Sequence, residues 1–229
     1  GPLHGLYQVR TAKGLDLEAL DLEYNEWNSF SMVSVIPRGR FRGWGMSPAF
    51  RGRLPERKTL VIDMNAMTPL VRFDGDLDQV RHVLWDLSAF VHHVRPDDPP
   101  GRVCVIGAGG GRDVLAALVA GAERVDGVEI NPLIVNDVMR DRFRGHVGDL
   151  YGRDDVRVAI DDGRGWIRRS DDRYDLIHLS MVDTSAATAA GAYSLTENSL
   201  YTVEAFGDYL DHLTPGGLVS VRSEERRVG

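Results

Sequence analysis

The stretch Val105–Asp113, which reads VIGAGGGRD, decides the fold of this 229-residue chain. It overlaps the short apolar run Val103–Ile106, which is typical of a buried strand, and precedes the run Val114–Val119, which predicts a helix. Glycines let a backbone turn tightly and approach a ligand without a Cβ atom in the way. The first amide groups of the following helix have no partner within the helix and can bind a polar ligand. The stretch therefore predicts a ligand-binding turn between a strand and a helix.

Downstream of this turn, strand-like and helix-like segments alternate. The predicted strands are Val125–Ile130, Val156–Ile160, Tyr174–Leu179 and Leu218–Val221. The predicted helices begin at Asn131-Pro132, span Gly163–Arg169 and span Thr202–Leu213. Strands separated by helices indicate a parallel sheet with helices on both faces. We therefore expect an α/β domain over residues 101–222.

Acidic residues follow two of these strands, at the sheet edge where the glycine turn is expected. Glu129 ends the next strand, 18 residues after Gly111, and a carboxylate there can accept hydrogen bonds from both hydroxyls of a ribose. Asp162-Gly163 follows the third strand, where a carboxylate can accept from the exocyclic amine of adenine. The order GxGxG, with an acid and a glycine after the third strand, favours an S-adenosylmethionine-type ligand over NAD. A solvent-facing glutamate at 129 is the alternative.

Residues 1–98 form a predicted β-rich region with one amphipathic helix. Alternating apolar and polar residues at 28–36 and the apolar run Leu60–Asp63 indicate strands. Apolar residues then recur at helical spacing over 77–94. The proline- and aspartate-rich segment Asp97–Gly101 ends this pattern and marks the predicted domain boundary.

The composition excludes several classes of protein and site. The chain is 43% hydrophobic and 27% charged, an ordinary globular balance, and it has no apolar run of the roughly 18 residues that a membrane helix needs. A net charge of −7 argues against a nucleic-acid partner. The single cysteine, Cys104, allows no internal disulfide and indicates a reducing, cytoplasmic location. His92-His93 has no nearby cysteine or acid to complete a metal site, so we expect no metal.

From about Leu60 to Val221, the chain resembles the spermidine synthase-like branch of the class I S-adenosylmethionine-dependent transferases, as found in large bacterial proteins. The motifs that carry the resemblance are Gly107–Gly111, Val128–Pro132, Asp162-Gly163, Tyr174–Ile177, Leu195–Phe206 and Pro215–Gly217, with Trp27–Ser31 near the N-terminus. The resemblance implies a Rossmann-like class I methyltransferase fold preceded by a small β-rich domain, and it leaves a homodimer open. We also expect that the chain is a C-terminally truncated fragment and that the charged residues 223–229 are an artefactual tail.

The residues and the resemblance together give one predicted site. Its members are the donor-binding residues Gly107, Gly109, Gly111, Arg112, Glu129, Asp162 and Gly163, the catalytic residues Asp183 and Ser180, and the acceptor-binding residues Tyr193 and Tyr201. The implied co-substrate is S-adenosylmethionine or its decarboxylated form.

Two positions depart from the pattern of aminopropyltransferases, which carry one aspartate in the glycine loop and another after the fourth strand. Here these positions are Gly110 and Ser180, while Asp183 matches a second acid of the latter motif. An amine must lose a proton before it attacks carbon, so the departure at 180 removes the obvious base. We therefore expect methyl transfer from S-adenosylmethionine to a small-molecule acceptor. The alternatives are aminopropyl transfer to a polyamine and a non-catalytic nucleoside-binding module.

Overall fold

The computed structural model describes residues 11–12, 15–16, 21–37, 45–64, 66–95, 98–182 and 197–222. The strands are β1 Thr11–Ala12, β2 Leu15–Asp16, β3 Tyr24–Trp27, β4 Met32–Ile36, β5 Arg57–Ile62, β6 Ala66–Val71, β7 Arg102–Ile106, β8 Arg124–Glu129, β9 Val156–Ile160, β10 Tyr174–Ser180 and β11 Leu213–Arg222. The α-helices are α1 Arg112–Val119, α2 Gly163–Arg169 and α3 Val203–Asp211. Short 3₁₀ helices span Leu77–Trp85, Leu87–His93, Leu150–Gly152 and Glu197–Leu200, and a π-helix spans Leu133–Arg142.

Five strands form a parallel sheet in the order β11-β10-β7-β8-β9. Its inner strands β10, β7 and β8 are buried along most of their length, as expected for a sheet covered on both faces. The predicted α/β class is therefore confirmed. The chain runs from β7 outward to β8 and β9 and then returns to β10 on the other side of β7. The strand order thus reverses between β7 and β10, which is where open α/β sheets bind ligands beyond the carboxyl ends of their strands.

A smaller antiparallel sheet in the order β3-β4-β5-β6 precedes the parallel sheet and confirms the small β-rich N-terminal part. The strand predicted over 28–36 begins later than expected, at Met32. The reason is local, because the side-chain oxygen of Asn28 accepts hydrogen bonds from the backbone N–H groups of Phe30 (2.9 Å) and Ser31 (3.0 Å). These bonds turn the chain and make residues 28–31 the hairpin connection between β3 and β4.

The single amphipathic helix predicted over 77–94 is wrong, because two 3₁₀ helices occupy this segment. They are separated by Asp86, whose backbone is extended, with φ −84° and ψ 144°. The Asp86 carboxylate accepts a hydrogen bond from the backbone N–H of Ser88 at 3.4 Å and so caps the second helix. Both 3₁₀ helices pack against α1, the helix that follows the glycine turn.

Two apolar clusters form the interior, one on each side of the parallel sheet. Cys104 and His178 are buried residues of β7 and β10 in this sheet. Among the residues that the structure describes, no helix combines the length and the apolar character that a membrane span requires.

Candidate functional site

The glycine turn after β7 has a backbone that only glycine adopts easily. Gly107, Gly109 and Gly111 have φ values of +77°, +49° and +81°. A Cβ atom on Gly107 would lie 2.4 Å from the side chain of Val182, and one on Gly111 would lie 2.5 Å from Leu150. Glycine is therefore required at both positions by the packing of Val182 and Leu150 on this turn, which lies at the switch point of the sheet.

Glu129 ends β8 beside this turn and is buried. One carboxylate oxygen accepts from the backbone N–H of Gly109 at 2.9 Å, and the other accepts from the backbone N–H of Asn131, also at 2.9 Å. Burial raises the pKa of the Glu129 carboxyl, and these two N–H donors oppose the rise. Each oxygen can still accept a further bond. Two adjacent acceptors of this kind match the two hydroxyls of a ribose.

Tyr151 holds the opposite side of the same turn, and it is not among the residues that the sequence predicts for the site. Its buried hydroxyl donates to the carbonyl of Gly109 at 2.8 Å. Gly109 is thus held at its N–H by Glu129 and at its carbonyl by Tyr151. No local pattern identifies this tyrosine, because it lies 42 residues away along the chain.

Asp162 and Gly163 lie at the end of β9, next to the glutamate. The backbone N–H of Asp161 donates to the carbonyl of Glu129 at 3.1 Å, which joins the two strand ends. Asp162 caps α2 by accepting from the backbone N–H of Gly165 at 2.7 Å. A Cβ atom on Gly163 would lie 2.4 Å from Ile106, so the close approach of α2 to β7 requires glycine there. The structure therefore brings the predicted ribose and adenine carboxylates to one edge of the sheet.

Arg112 begins α1, and its guanidinium lies in a buried charged cluster. It donates to both carboxylate oxygens of Asp113 at 3.1 Å and to the Ser180 hydroxyl at 3.1 Å, and it lies 3.8 Å from Asp86. Burial alone would raise the pKa of Asp113, but the charge of Arg112 outweighs it and holds this pKa below its usual range. The guanidinium of Arg112 is thus bonded to other side chains of the protein. Its predicted contact with the S-adenosylmethionine-type donor stays a prediction.

Ser180 is the last residue of β10 and is buried. Met181 follows it with a left-handed φ of +58° and donates its backbone N–H to the carbonyl of Arg222 at 2.8 Å. Tyr201 is half-buried just before α3. Asp183 and Tyr193 lie outside the described residues, so their roles stay predictions.

Strand β6 of the N-terminal sheet packs directly against the glycine turn. A Cβ atom on Gly110 would lie 3.0 Å from the Leu70 side chain and 3.1 Å from the carbonyl oxygen of Pro69. The loop position that carries an aspartate in aminopropyltransferases is therefore closed by a neighbouring backbone. Within the described part of the chain, no group of three or more His, Cys, Asp and Glu residues could hold a metal ion.

The chain matches no family model, but it is similar in sequence to several known proteins. It is 27% identical over 187 residues to polyamine aminopropyltransferase 2 of Pseudomonas aeruginosa, a match that covers 77% of this chain and 49% of that protein. It is 22% identical over 157 residues to the polyamine aminopropyltransferase of Thermoplasma volcanium, covering 67% of this chain and 54% of that protein.

The fold has a similar counterpart in the crystal structure of spermidine synthase from Thermotoga maritima. The TM-score is 0.52 at 16% identity, and the match covers 87% of this chain and 55% of that one. The chain spans about half the length of the curated relatives that it matches. In sequence the chain is similar to polyamine aminopropyltransferases, and in fold it is similar to spermidine synthase.

Proposed function

We propose that the chain belongs to a transferase that moves the aminopropyl group of decarboxylated S-adenosylmethionine to an amine of a polyamine. The observation that carries the donor part is the Glu129 carboxylate, which is held on the backbone of Gly109 at the switch point of the sheet. The aminopropyl part is supported by the relatives, which are polyamine aminopropyltransferases. The sequence alone favours methyl transfer, whereas the relatives favour aminopropyl transfer.

The residues of the site fit such a donor. The Glu129 carboxylate would accept from the two ribose hydroxyls, and the carboxylate of Asp162 would accept from the adenine amine. The bare backbone of Gly107–Gly111 would pass beside the sulfonium end of the donor, where side chains would collide with Val182 and Leu150. In each case the fit depends on groups that the fold already holds in place.

The reaction is a displacement at carbon. A neutral amine nitrogen forms a bond to the carbon next to the sulfonium sulfur, the carbon–sulfur bond breaks, and methylthioadenosine leaves as a neutral thioether. The protein must align the nitrogen, carbon and sulfur, and it must receive the proton that the acceptor ammonium loses. We assign that proton to Asp183, because Ser180 is a neutral hydroxyl.

Methyl transfer is the second candidate, and one observation favours it. The Ser180 hydroxyl accepts a hydrogen bond from Arg112 at 3.1 Å, so a cation, rather than a base, lies at the position where an attacking amine would be deprotonated. A cation there suits intact S-adenosylmethionine, which keeps its carboxylate, better than the decarboxylated form. It also suits an acceptor that needs no base better than it suits a polyamine.

A product assay with both donors tests the proposal. The protein is incubated with putrescine and either decarboxylated or intact S-adenosylmethionine, and products are identified by mass spectrometry. Formation of spermidine and methylthioadenosine supports the proposal. Formation of a methylated product together with S-adenosylhomocysteine contradicts aminopropyl transfer and supports methyl transfer. Tight binding of a donor without any product supports the non-catalytic module.

A further inference from the structure

Asn131 links the donor side of the parallel sheet to the N-terminal sheet. Its side chain is 4% exposed. The amide nitrogen donates to the hydroxyl of Ser31 at 2.9 Å, and the amide oxygen accepts from the side-chain nitrogen of Asn28 at 2.7 Å. The same oxygen accepts from the backbone N–H of Leu133 at 3.1 Å. A buried amide with this many partners is held in one orientation.

These bonds continue into the predicted ribose site. The backbone N–H of Asn131 donates to one oxygen of Glu129, and the other oxygen of Glu129 accepts from Gly109. A continuous series of hydrogen bonds therefore runs from the Asn28–Ser31 hairpin turn, through Asn131 and Glu129, to the glycine turn.

We propose that Asn131 is a positioning residue, through which the Asn28–Ser31 turn of the N-terminal sheet holds the Glu129 carboxylate in the orientation that binds the donor. Donor binding and the docking of the N-terminal sheet are then coupled. The inference rests on the proposed function only in taking the ribose of the donor as the ligand of Glu129.

The reason for the coupling is the burial of Glu129. A buried carboxylate is stable only with hydrogen-bond donors. The backbone N–H groups of Asn131 and Gly109 each donate to this carboxylate. If Asn131 is released from the hairpin turn, its backbone N–H loses a fixed position. The two carboxylate oxygens then no longer point together toward a ribose diol, and donor binding weakens although no residue that touches the donor has changed.

One substitution breaks this connection and preserves the turn. In Asn28→Asp, the side-chain oxygen that accepts from Phe30 and Ser31 remains. The side-chain nitrogen that donates to Asn131 becomes a carboxylate oxygen, which then lies opposite the amide oxygen of Asn131. Ser34→Ala is the matched control, because it removes a 2.8 Å hydrogen bond to Asn25 within the same hairpin and leaves Asn131 untouched.

The experiment measures methylthioadenosine affinity by calorimetry and the Gly109 amide resonance by NMR without ligand. In Asn28→Asp we expect the Kd to rise about fivefold, as loss of one hydrogen bond predicts, and the Gly109 resonance to shift. In Ser34→Ala we expect neither change. In a Glu129→Gln background, Asn28→Asp should change the Kd by less than about twofold, because the two positions act in series.

An unchanged Kd and an unmoved Gly109 resonance in Asn28→Asp would overturn the inference. So would an equal loss of affinity with Glu129 and with Gln at 129, since the turn would then act by another route. If the unsubstituted protein does not bind methylthioadenosine while the Gly109 resonance still shifts in Asn28→Asp, the proposed function fails and the positioning role of Asn131 stands.

Discussion

The guanidinium nitrogen Nη2 of Arg112 lies 3.1 Å from the hydroxyl oxygen of Ser180, and both side chains are buried. The same guanidinium holds Asp113 by two hydrogen bonds. In aminopropyltransferases, which the chain resembles, the position of Ser180 carries an aspartate. In this chain a cation therefore lies beside the position that carries the base in those enzymes.

The substitution Ser180→Asp should by itself give little aminopropyl transfer. A carboxylate beside Arg112 would form an ion pair, its pKa would fall, and a weaker base accepts a proton less readily. We expect a gain of less than about tenfold in spermidine formed from putrescine and decarboxylated S-adenosylmethionine, where a free base would give at least about 10². Product is measured by chromatography at saturating donor.

The matched background is the double variant Arg112→Gln, Asp113→Asn, which removes the cation and its buried partner together. In that background Ser180→Asp should recover about 10² in rate, and Ser180→Asn, which has the same shape without a base, should recover nothing. Thermal melts identify any variant that has lost its fold. A gain of about 10² from Ser180→Asp with Arg112 intact would show that the ion pair with Arg112 does not weaken the new carboxylate as a base.

Gly110→Asp should destabilise the protein without improving aminopropyl transfer. The new Cβ atom would lie 3.0 Å from the Leu70 side chain and 3.1 Å from the Pro69 carbonyl oxygen, so these residues of β6 must shift by a few tenths of an ångström. Overpacking of this kind costs about 1–3 kcal/mol in the free energy of unfolding, measured by chemical denaturation. Gly145→Asp is the control, because a Cβ atom there meets nothing within 4 Å. Equal stability of the two variants would contradict the packing of β6 on the glycine turn.

Features that depend on neighbours along the chain could be predicted from the sequence. Strands β7 to β10 lie within about one residue of their predicted positions, and Glu129 ends β8, as its position after Gly111 predicted. Strand β11 begins at Leu213 and not at the predicted Leu218, because Leu213 already pairs with Tyr174 of β10. The break at Asp86 was missed because helical spacing of apolar residues does not distinguish one α-helix from two 3₁₀ helices. An aspartate that caps from inside the pattern overrides the periodicity.

The site was predicted where its residues follow strands and missed where they come from far away. Tyr151 is 42 residues from Gly109, and Asn131 is 103 residues from Asn28. One partner of Arg112 is likewise distant, because Ser180 lies 68 residues away. Hydrogen bonds of this range depend on how the sheets pack, which no local pattern contains.

Glu129→Ala should weaken binding of methylthioadenosine by at least about tenfold. Hydrogen bonds to a charged group contribute about 1.5–3 kcal/mol each, and this carboxylate can receive two from the ribose. Calorimetry at neutral pH measures the loss. Glu123→Ala serves as the control, because Glu123 is an exposed glutamate at the opposite end of β8. Unchanged affinity in Glu129→Ala would remove the ribose role from this residue.

His82 should make the protein sensitive to acid below neutral pH. Its side chain is 7% exposed, and no partner for its Nδ1 atom exists among the residues that the structure describes. Burial, helped by the charge of Arg57, lowers the pKa of His82 to about 4. Because the unfolded chain has the ordinary histidine pKa of about 6.5, it binds more protons than the folded chain between these values. The free energy of unfolding should therefore fall as the pH drops from about 6.5 to 4, by at most about 3 kcal/mol from this residue.

The variant His82→Gln has no proton to gain, so its free energy of unfolding should change less over this pH range. Urea denaturation at three pH values between 7 and 4.5 gives the comparison. His93→Gln is the control, because His93 is exposed on the neighbouring 3₁₀ helix and should keep the acid sensitivity of the unsubstituted protein. If His82→Gln loses stability toward acid as steeply as the unsubstituted protein does, His82 is accessible to protons in the folded state, and the packing of the 3₁₀ helices over α1 is looser than the structure describes.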